Sequence, residues 1–230
     1  MKAPMLTKAL FFGSIFFASF TARCGSNEDH LRPLALERNQ SYRNVSLAKL
    51  APTRFDCGRA FTLPAFKPES CVSVYSSSSG TPRHVYFVTY ATLHESLWQR
   101  TDGGNQPEKA AGLRVDRLDA EIPAKTAELI RQVWRGMLEG TRKAKVPSSN
   151  AWNTISIDGT DVEFSIERPN ARALYGTLNV SLPIPGEKTK ELVKLSELLA
   201  DYCKAKPAER SRVATEIDRQ ANDLRGQLKR

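Results

Sequence analysis

The sequence predicts an α+β protein: a small antiparallel sheet of two hairpins, packed by two amphipathic helices and followed by a C-terminal helix. Two segments carry apolar residues at helical three- and four-residue spacing. Several shorter segments alternate apolar and polar residues, which is typical of strands with one buried face. Helices that cover one apolar face of such a sheet give the layered arrangement of the α+β class.

The chain has 230 residues, which is enough to bury the core of one domain. We divide it into a signal peptide over 1–22, a polar N-terminal arm over 23–49, a single α+β domain over 50–204 and a C-terminal amphipathic helix over 205–230. The arm has many Asn, Ser, Arg and Glu residues and little periodicity. It is therefore predicted to be a loosely ordered tether.

The first helix is predicted to begin after Pro123, because the missing amide of proline costs nothing at the first helical position. Gly140 is the predicted stop. The apolar stripe of this helix contains a Trp and a Met, and packing against a sheet explains it better than a cofactor site does. Its members are Ile130, Val133, Trp134, Met137, Leu138 and Thr141.

Two hairpins supply the sheet. The first joins Cys71–Ser76 to His84–Thr92 through a serine-rich loop. The second joins Trp152–Ile157 to Thr160–Ile166 through Asp158-Gly159, a dipeptide that readily adopts the positive φ angles of a tight turn.

Two more strands are predicted at Leu113–Leu118 and at about 172–180, and a second helix at Glu187–Lys204. From Pro207 onward a narrow apolar stripe runs along a charged helix. Docking of this helix on the domain is the main prediction, and a partner helix or a short coiled-coil seam is the alternative. The stripe consists of Val213, Ile217, Ala221, Leu224 and Leu228.

The first residues have the pattern of a secretory signal peptide. Lys2 and Lys8 form a basic start, and the apolar run 9–20 is too short to span a bilayer but suits a hydrophobic signal core. Ala22 is an acceptable residue before the cleaved bond, although Phe20 is large for the position two before it. The sequence therefore predicts an exported protein, periplasmic or secreted.

Cys24 leaves a second anchoring mode open. In bacterial lipoproteins a cysteine directly after the cleaved bond receives lipid, but here Arg23 stands where that motif has Gly, Ala or Ser. A soluble mature protein is the main prediction, and a lipid-anchored structural component of the envelope is an alternative.

The formal net charge is +9, and loss of Lys2 and Lys8 with the signal peptide leaves +7. No dense basic cluster with interleaved aromatic residues occurs, so nucleic acid is not predicted as a partner. Another envelope or secreted protein is expected instead, with membrane contact at most peripheral or through a lipid anchor. Scattered surface lysine and arginine that serve solubility explain the charge equally well.

The four cysteines include no C-x-x-C pair, so neither a zinc knuckle nor a thioredoxin-type site is indicated. In an oxidising compartment Cys57 and Cys71 are the predicted disulfide, and the chain-entropy model gives the short loop a stabilisation of about 3 kcal/mol. Pairing of Cys203 with either of them, or with Cys24 if it survives cleavage, is the alternative.

Catalytic signatures are weak. The sequence has no zinc-protease helix motif, no Gly-x-Ser-x-Gly turn, no P-loop and no dinucleotide fingerprint, so no catalytic residue, metal or cofactor is assigned. The runner-up function is an envelope hydrolase assembled from distant residues. It requires His84 or His94 to meet a carboxylate and a Cys or Ser in one pocket.

The candidate interaction surface is formed by Tyr86, Tyr90 and Trp98, which follow one another in the N-terminal hairpin region. Aromatic anchors of this kind are enriched at protein interfaces. Half-buried tyrosines are also common on sheets, and that explanation stays open.

Three motifs carry a resemblance. They are Pro-Ala-x-Thr-Ala-x-x-Ile-x-x-Val-Trp at Pro123–Trp134, Asp-Gly-Thr-x-x-x-Phe at Asp158–Phe164 and Leu-x-x-Tyr-Cys at Leu199–Cys203. With them the chain resembles a group of uncharacterised exported bacterial proteins, periplasmic or lipoprotein-like. The resemblance implies a bacterial, exported protein and carries no activity.

The predicted function is therefore a non-catalytic binding protein of the cell envelope. One concrete version is an inhibitor of the immunity type, which blocks a toxin or a hydrolase.

Overall fold

The computed structural model of the chain describes residues 29–34, 40–52, 54–77, 84–102, 105–143, 159–180 and 186–229. These residues form a six-stranded antiparallel sheet with helices on both faces, so the predicted α+β class is confirmed. The predicted signal peptide lies outside the described residues.

The sheet has the strand order β4-β3-β2-β1-β5-β6, with every neighbouring pair antiparallel. The predicted first hairpin is confirmed as the second and third strands. The strands are β1 (Gly58–Pro64), β2 (Ser70–Ser77), β3 (Val85–Leu93), β4 (Val115–Ile122), β5 (Thr160–Arg168) and β6 (Ala171–Asn179).

Five α-helices occur in the described part of the chain, and the predicted bounds of the third and fourth are confirmed. Both lie on one face of the sheet, where their apolar stripes and the inward side chains of the strands form the main core. The helices are α1 (Gln40–Leu50), α2 (Leu97–Arg100), α3 (Ala124–Glu139), α4 (Glu187–Lys204) and α5 (Pro207–Leu228).

Helix α5 packs against α3 and α4 and so adds a further layer over the main core. Ile217, Ala221 and Leu224 of its predicted stripe are fully buried. The docked arrangement is therefore the correct one of the three alternatives. No helix in the described ranges has the length and apolar character needed to cross a membrane.

The opposite face of the sheet is covered in part by α1, α2 and the 3₁₀ turn Pro107–Ala110. Helix α1 crosses this face. Near its start Arg43 pairs with Glu163 of β5, and at its end the carbonyl groups of Lys49 and Leu50 accept hydrogen bonds from Arg117 of β4. The prediction of a loosely ordered arm over 23–49 is thus wrong for this segment, because long-range contacts order a helix with little apolar periodicity.

The residues Asp29–Arg32, which we call the N-terminal strap, are also fixed to the domain. Leu31 is completely buried beside Gly176 of β6, and Arg32 exchanges two backbone hydrogen bonds with Thr177 (2.9 and 2.8 Å). Asp29 Oδ1 accepts a hydrogen bond from the backbone N–H of Lys188 (2.6 Å) and so caps the start of α4. The strap is therefore part of the folded unit.

The second predicted hairpin, which joins 152–157 to β5, is not the hairpin that the structure shows for β5. Strand β5 is confirmed, but its partners are β1 on one edge and β6 on the other, so both edges of its backbone are used. The predicted strand Trp152–Ile157 lies outside the described residues. The hairpin that the structure shows joins β5 to β6 through Pro169 and Asn170, whose φ of 57° suits a tight turn.

Candidate binding face of the sheet

The face of the sheet opposite α3 and α4 carries a row of polar side chains from all six strands. Because successive strand residues point to opposite faces, the strand registers place one residue of each strand in line. We call this line the polar row. From β4 to β6 it consists of Asp119, Thr89, Ser73, Arg59, Ser165 and Tyr175.

Arg59 is the central feature of the polar row. Only 8% of this residue is exposed, and its Nε donates a hydrogen bond to Ser165 Oγ (3.0 Å). The ring of Phe55 lies over its guanidinium at 3.9 Å. Among the described residues no carboxylate oxygen lies within 4.0 Å of this guanidinium, and burial lowers the pKa of Arg59. A buried cation without an ion-pair partner is energetically costly.

Aromatic side chains flank Arg59. Tyr75 and Phe87 stack at 5.9 Å between ring centroids on the neighbouring strands β2 and β3. At the end of the polar row Tyr175 is 43% exposed. Arginine and tyrosine are among the residue types that are enriched in the central contacts of protein interfaces.

The ion pair between α1 and β5 closes one side of this face. Arg43 Nε donates to both carboxylate oxygens of Glu163, at 2.8 and 2.6 Å. Burial raises the pKa of Glu163, and the positive charge of Arg43 opposes that rise. Glu163 thus forms its ion pair with Arg43, and its negative charge acts on Arg59 only from beyond ion-pair distance.

The predicted disulfide between Cys57 and Cys71 is contradicted, because both cysteines are free and buried. Gly58 pairs with Val74, so Cys57, one residue earlier, lies level with Tyr75 of β2. Cys71 is four residues from Tyr75 along the same strand, which separates the two cysteines by roughly 13 Å. They also belong to different cores, one on each face of the sheet. A disulfide needs Cα atoms closer than about 7 Å.

The buried thiols are poor nucleophiles. Burial raises the pKa of Cys57 and of Cys203 to about 12 and that of Cys71 to about 11. Arg131 lies 3.2 Å from Cys57 Sγ and favours the thiolate, but burial and the neighbouring Asp56 outweigh it. At neutral pH all three thiols are protonated, which argues against a cysteine nucleophile at these positions.

The predicted interaction surface is not brought together as one surface. Tyr86 and Tyr90 are partly buried and pack against the main core, on the face that α3 and α4 cover. Trp98 packs against the second core on the opposite face, edge-on to Tyr42 at 5.0 Å between ring centroids. The aromatic residue that is exposed on the sheet is Tyr175.

The two histidines of the hydrolase alternative lie at opposite ends of β3. His84 precedes the strand and His94 follows it, so the strand separates them by roughly 30 Å. His94 Nε2 lies 2.8 Å from Asp116 Oδ1, with 42% and 63% of these side chains exposed. This contact lies on the surface of the protein. In the described ranges no group of three or more potential metal ligands is found.

Sequence reasoning missed Arg59 and Phe55. Phe61 and Thr62 are residue types that favour strands, and a strand at this point places Arg59 on the same face as Phe61. The lack of an ion-pair partner, however, depends on contacts between strands distant in sequence.

Comparison with known proteins gives no relative: no protein-family model, no curated protein and no solved structure matches the chain. The resemblance to exported bacterial proteins therefore stays a prediction.

Proposed function

We propose that this chain is an exported, non-catalytic binding protein of the bacterial cell envelope, and that it holds a partner protein on the sheet face around Arg59 and Tyr175. The sequence of the first 22 residues supports export. The partner is another envelope or secreted protein, and inhibition of a toxin or hydrolase is the concrete version.

The observation that carries the proposal is the unpaired charge of Arg59. Natural proteins rarely bury an arginine without a carboxylate, because the loss of hydration is not offset. A partner that places an acidic side chain beside Arg59 supplies the missing charge, and a charge-assisted hydrogen bond of this kind is among the stronger interfacial contacts. The partner chemistry is therefore an acidic side chain next to an apolar one, with the apolar group on Tyr175.

The test is affinity capture from a native envelope extract with the chain from residue 23 onward. The wild type and the variants Tyr175→Ala and Phe66→Ala are compared. Phe66 is the matched control, since it is also an exposed aromatic residue (57%) but lies outside the polar row, in the turn after β1. We expect one near-stoichiometric partner that the wild type and Phe66→Ala retain and that Tyr175→Ala loses.

Two results would contradict the proposal. If Tyr175→Ala retains the partner as well as the wild type does, the binding surface lies elsewhere. If no protein is retained at low salt, a stable partner is excluded. Export is tested separately by the mass of the protein recovered from the periplasmic fraction of expressing cells, which we expect to lack about the first 22 residues.

A further inference from the structure

A cavity of about 330 Å³ lies where the N-terminal strap, the end of α3, the start of α4 and the end of α5 converge. Its lining combines two glycines and two apolar side chains with four polar or charged residues. They are Asp29, His30, Gly136, Met137, Gly140, Arg142, Lys188 and Leu228. This cavity is separate from the sheet face, because the helical layers lie between them.

Two polar groups of this lining lack a partner in the part of the chain that the structure describes. His30 Nε2 is buried and makes no hydrogen bond. Among the described residues no carboxylate lies within 4.0 Å of the guanidinium of Arg142, which is exposed at the mouth of the cavity. An unsatisfied buried nitrogen costs about 1–3 kcal/mol, so a group that accepts its hydrogen bond stabilises the site.

Among the described residues that line the cavity, Asp29 is the single acid, and it is already engaged. Asp29 Oδ1 binds the backbone N–H of Lys188 at 2.6 Å, and its Oδ2 lies 3.6 Å from Lys188 Nζ. The start of α4 is thus capped by protein and is not itself the site.

We infer that this cavity binds the phosphate group of an anionic ligand, with Arg142, Lys188 and His30 as its hydrogen-bond donors. Arginine suits phosphate because its planar guanidinium donates two parallel hydrogen bonds. The cavity is several times larger than the ~30 Å³ that one water occupies, which leaves room for a phosphate and the group that carries it. Met137 and Leu228 offer apolar contact to that group.

A lipid headgroup and a soluble phosphate share this chemistry, and the position of the cavity favours the headgroup. Asp29 is five residues after Cys24 and seven after Ala22, where the predicted export segment ends. Five residues span at most about 18 Å, so a lipid on Cys24 would bring the cavity to the membrane surface. For this source the inference rests on the proposed export and on the lipid-anchored alternative at Cys24, while the phosphate site itself rests on neither.

The experiment measures binding of the chain from residue 23 onward to three probes: vesicles that contain phosphatidylglycerol, vesicles of phosphatidylcholine alone, and inorganic phosphate. The variants are Arg142→Gln, His30→Asn and the control Arg114→Gln, which removes the same charge from an exposed residue beside β4. Circular dichroism and the Tm verify that each variant is folded.

We expect Arg142→Gln and His30→Asn to weaken binding by about tenfold each, whereas Arg114→Gln changes it less than twofold. Binding to phosphatidylglycerol vesicles alone identifies a headgroup site, and binding to inorganic phosphate as well identifies a general phosphate site. Absence of binding to all three probes, or binding that Arg114→Gln weakens as much as Arg142→Gln does, overturns the inference. The sheet-face proposal is unaffected by either result, because its test uses Tyr175.

Discussion

At the scale of single residues, Gly176 is a position where both the strap and helix α3 approach the sheet closely. A Cβ atom built on this glycine would meet Leu31 Cβ at 2.9 Å and Leu138 Cδ2 at 3.1 Å. Gly226 on α5 offers the opposite case, because a Cβ there would have no neighbour within 4 Å. Substitution of the two glycines by alanine therefore distinguishes two effects on stability. At Gly176 the added methyl group lacks space, whereas at Gly226 it has space and only the backbone entropy changes.

We expect Gly176→Ala to lower the free energy of unfolding by about 1–3 kcal/mol, since the added methyl group overpacks a filled core. Gly226→Ala should raise it by up to about 1 kcal/mol, because alanine favours an exposed helix position. Urea denaturation followed by circular dichroism measures both. A stabilising Gly176→Ala would show that Leu31 does not occupy this site.

At the scale of elements, Glu69 joins three of them through one buried carboxylate. The side chain lies just before β2 and is fully buried. It accepts hydrogen bonds from the hydroxyl of Tyr42 on α1 (2.5 Å) and from the backbone N–H groups of Leu97 (2.8 Å) and Trp98 (3.0 Å) at the start of α2. These donors replace the water that a carboxylate normally requires.

We expect Glu69→Ala to destabilise the protein by about 3–5 kcal/mol, because it leaves three donors unsatisfied and a void beneath α1. Tyr42→Phe removes a single donor and should cost only about 1–2 kcal/mol. Equilibrium unfolding in urea gives both values. Equal costs for the two variants would show that Glu69 does not hold α2.

The elements differ in how far the sequence predicts them. Those with a strong signal in their own residues are predicted, and those that depend on contacts with distant residues are not. Helices α3 and α4 carry apolar stripes strong enough to fix their bounds. Helix α1 has little such periodicity, and contacts of Arg43 and Tyr42 with distant residues hold it in place. The candidate binding face follows the same rule: the strand-forming residues of β1 are visible in the sequence, whereas the pairing of β1 with β5, which follows about 100 residues later, is not.

At the scale of the whole molecule, the sheet separates two cores, and each holds buried thiols. Cys57 and Cys203 lie in the main core and Cys71 in the second. Burial raises the pKa of these thiols from the ordinary 9.0 to about 12 and about 11, so the folded protein retains protons that the unfolded chain releases. Their contribution to stability is complete below about pH 9 and is lost as the pH rises toward the folded values.

We therefore expect the free energy of unfolding to fall between about pH 9 and pH 11, with a shallower fall in a Cys57→Ala variant that has one fewer such group. Urea unfolding at a series of pH values measures this dependence. Alkylation of the chain unfolded without reductant should also label Cys57, Cys71 and Cys203 completely. Incomplete labelling of Cys57 and Cys71 would instead show that the two residues form a disulfide.

The N-terminal strap has a consequence for the order of events when the chain folds. Leu31 and Asp29 contact Gly176 and Lys188, so some of the first residues to emerge depend on partners about 150 residues later. Contacts of such sequence separation close slowly, because a long loop must be ordered before they form. The strap and the start of α4 cannot complete their packing until most of the chain is present. Under the proposed export, in which the N-terminus crosses the membrane first, the strap would therefore complete its packing only after residues 176–188 had also crossed.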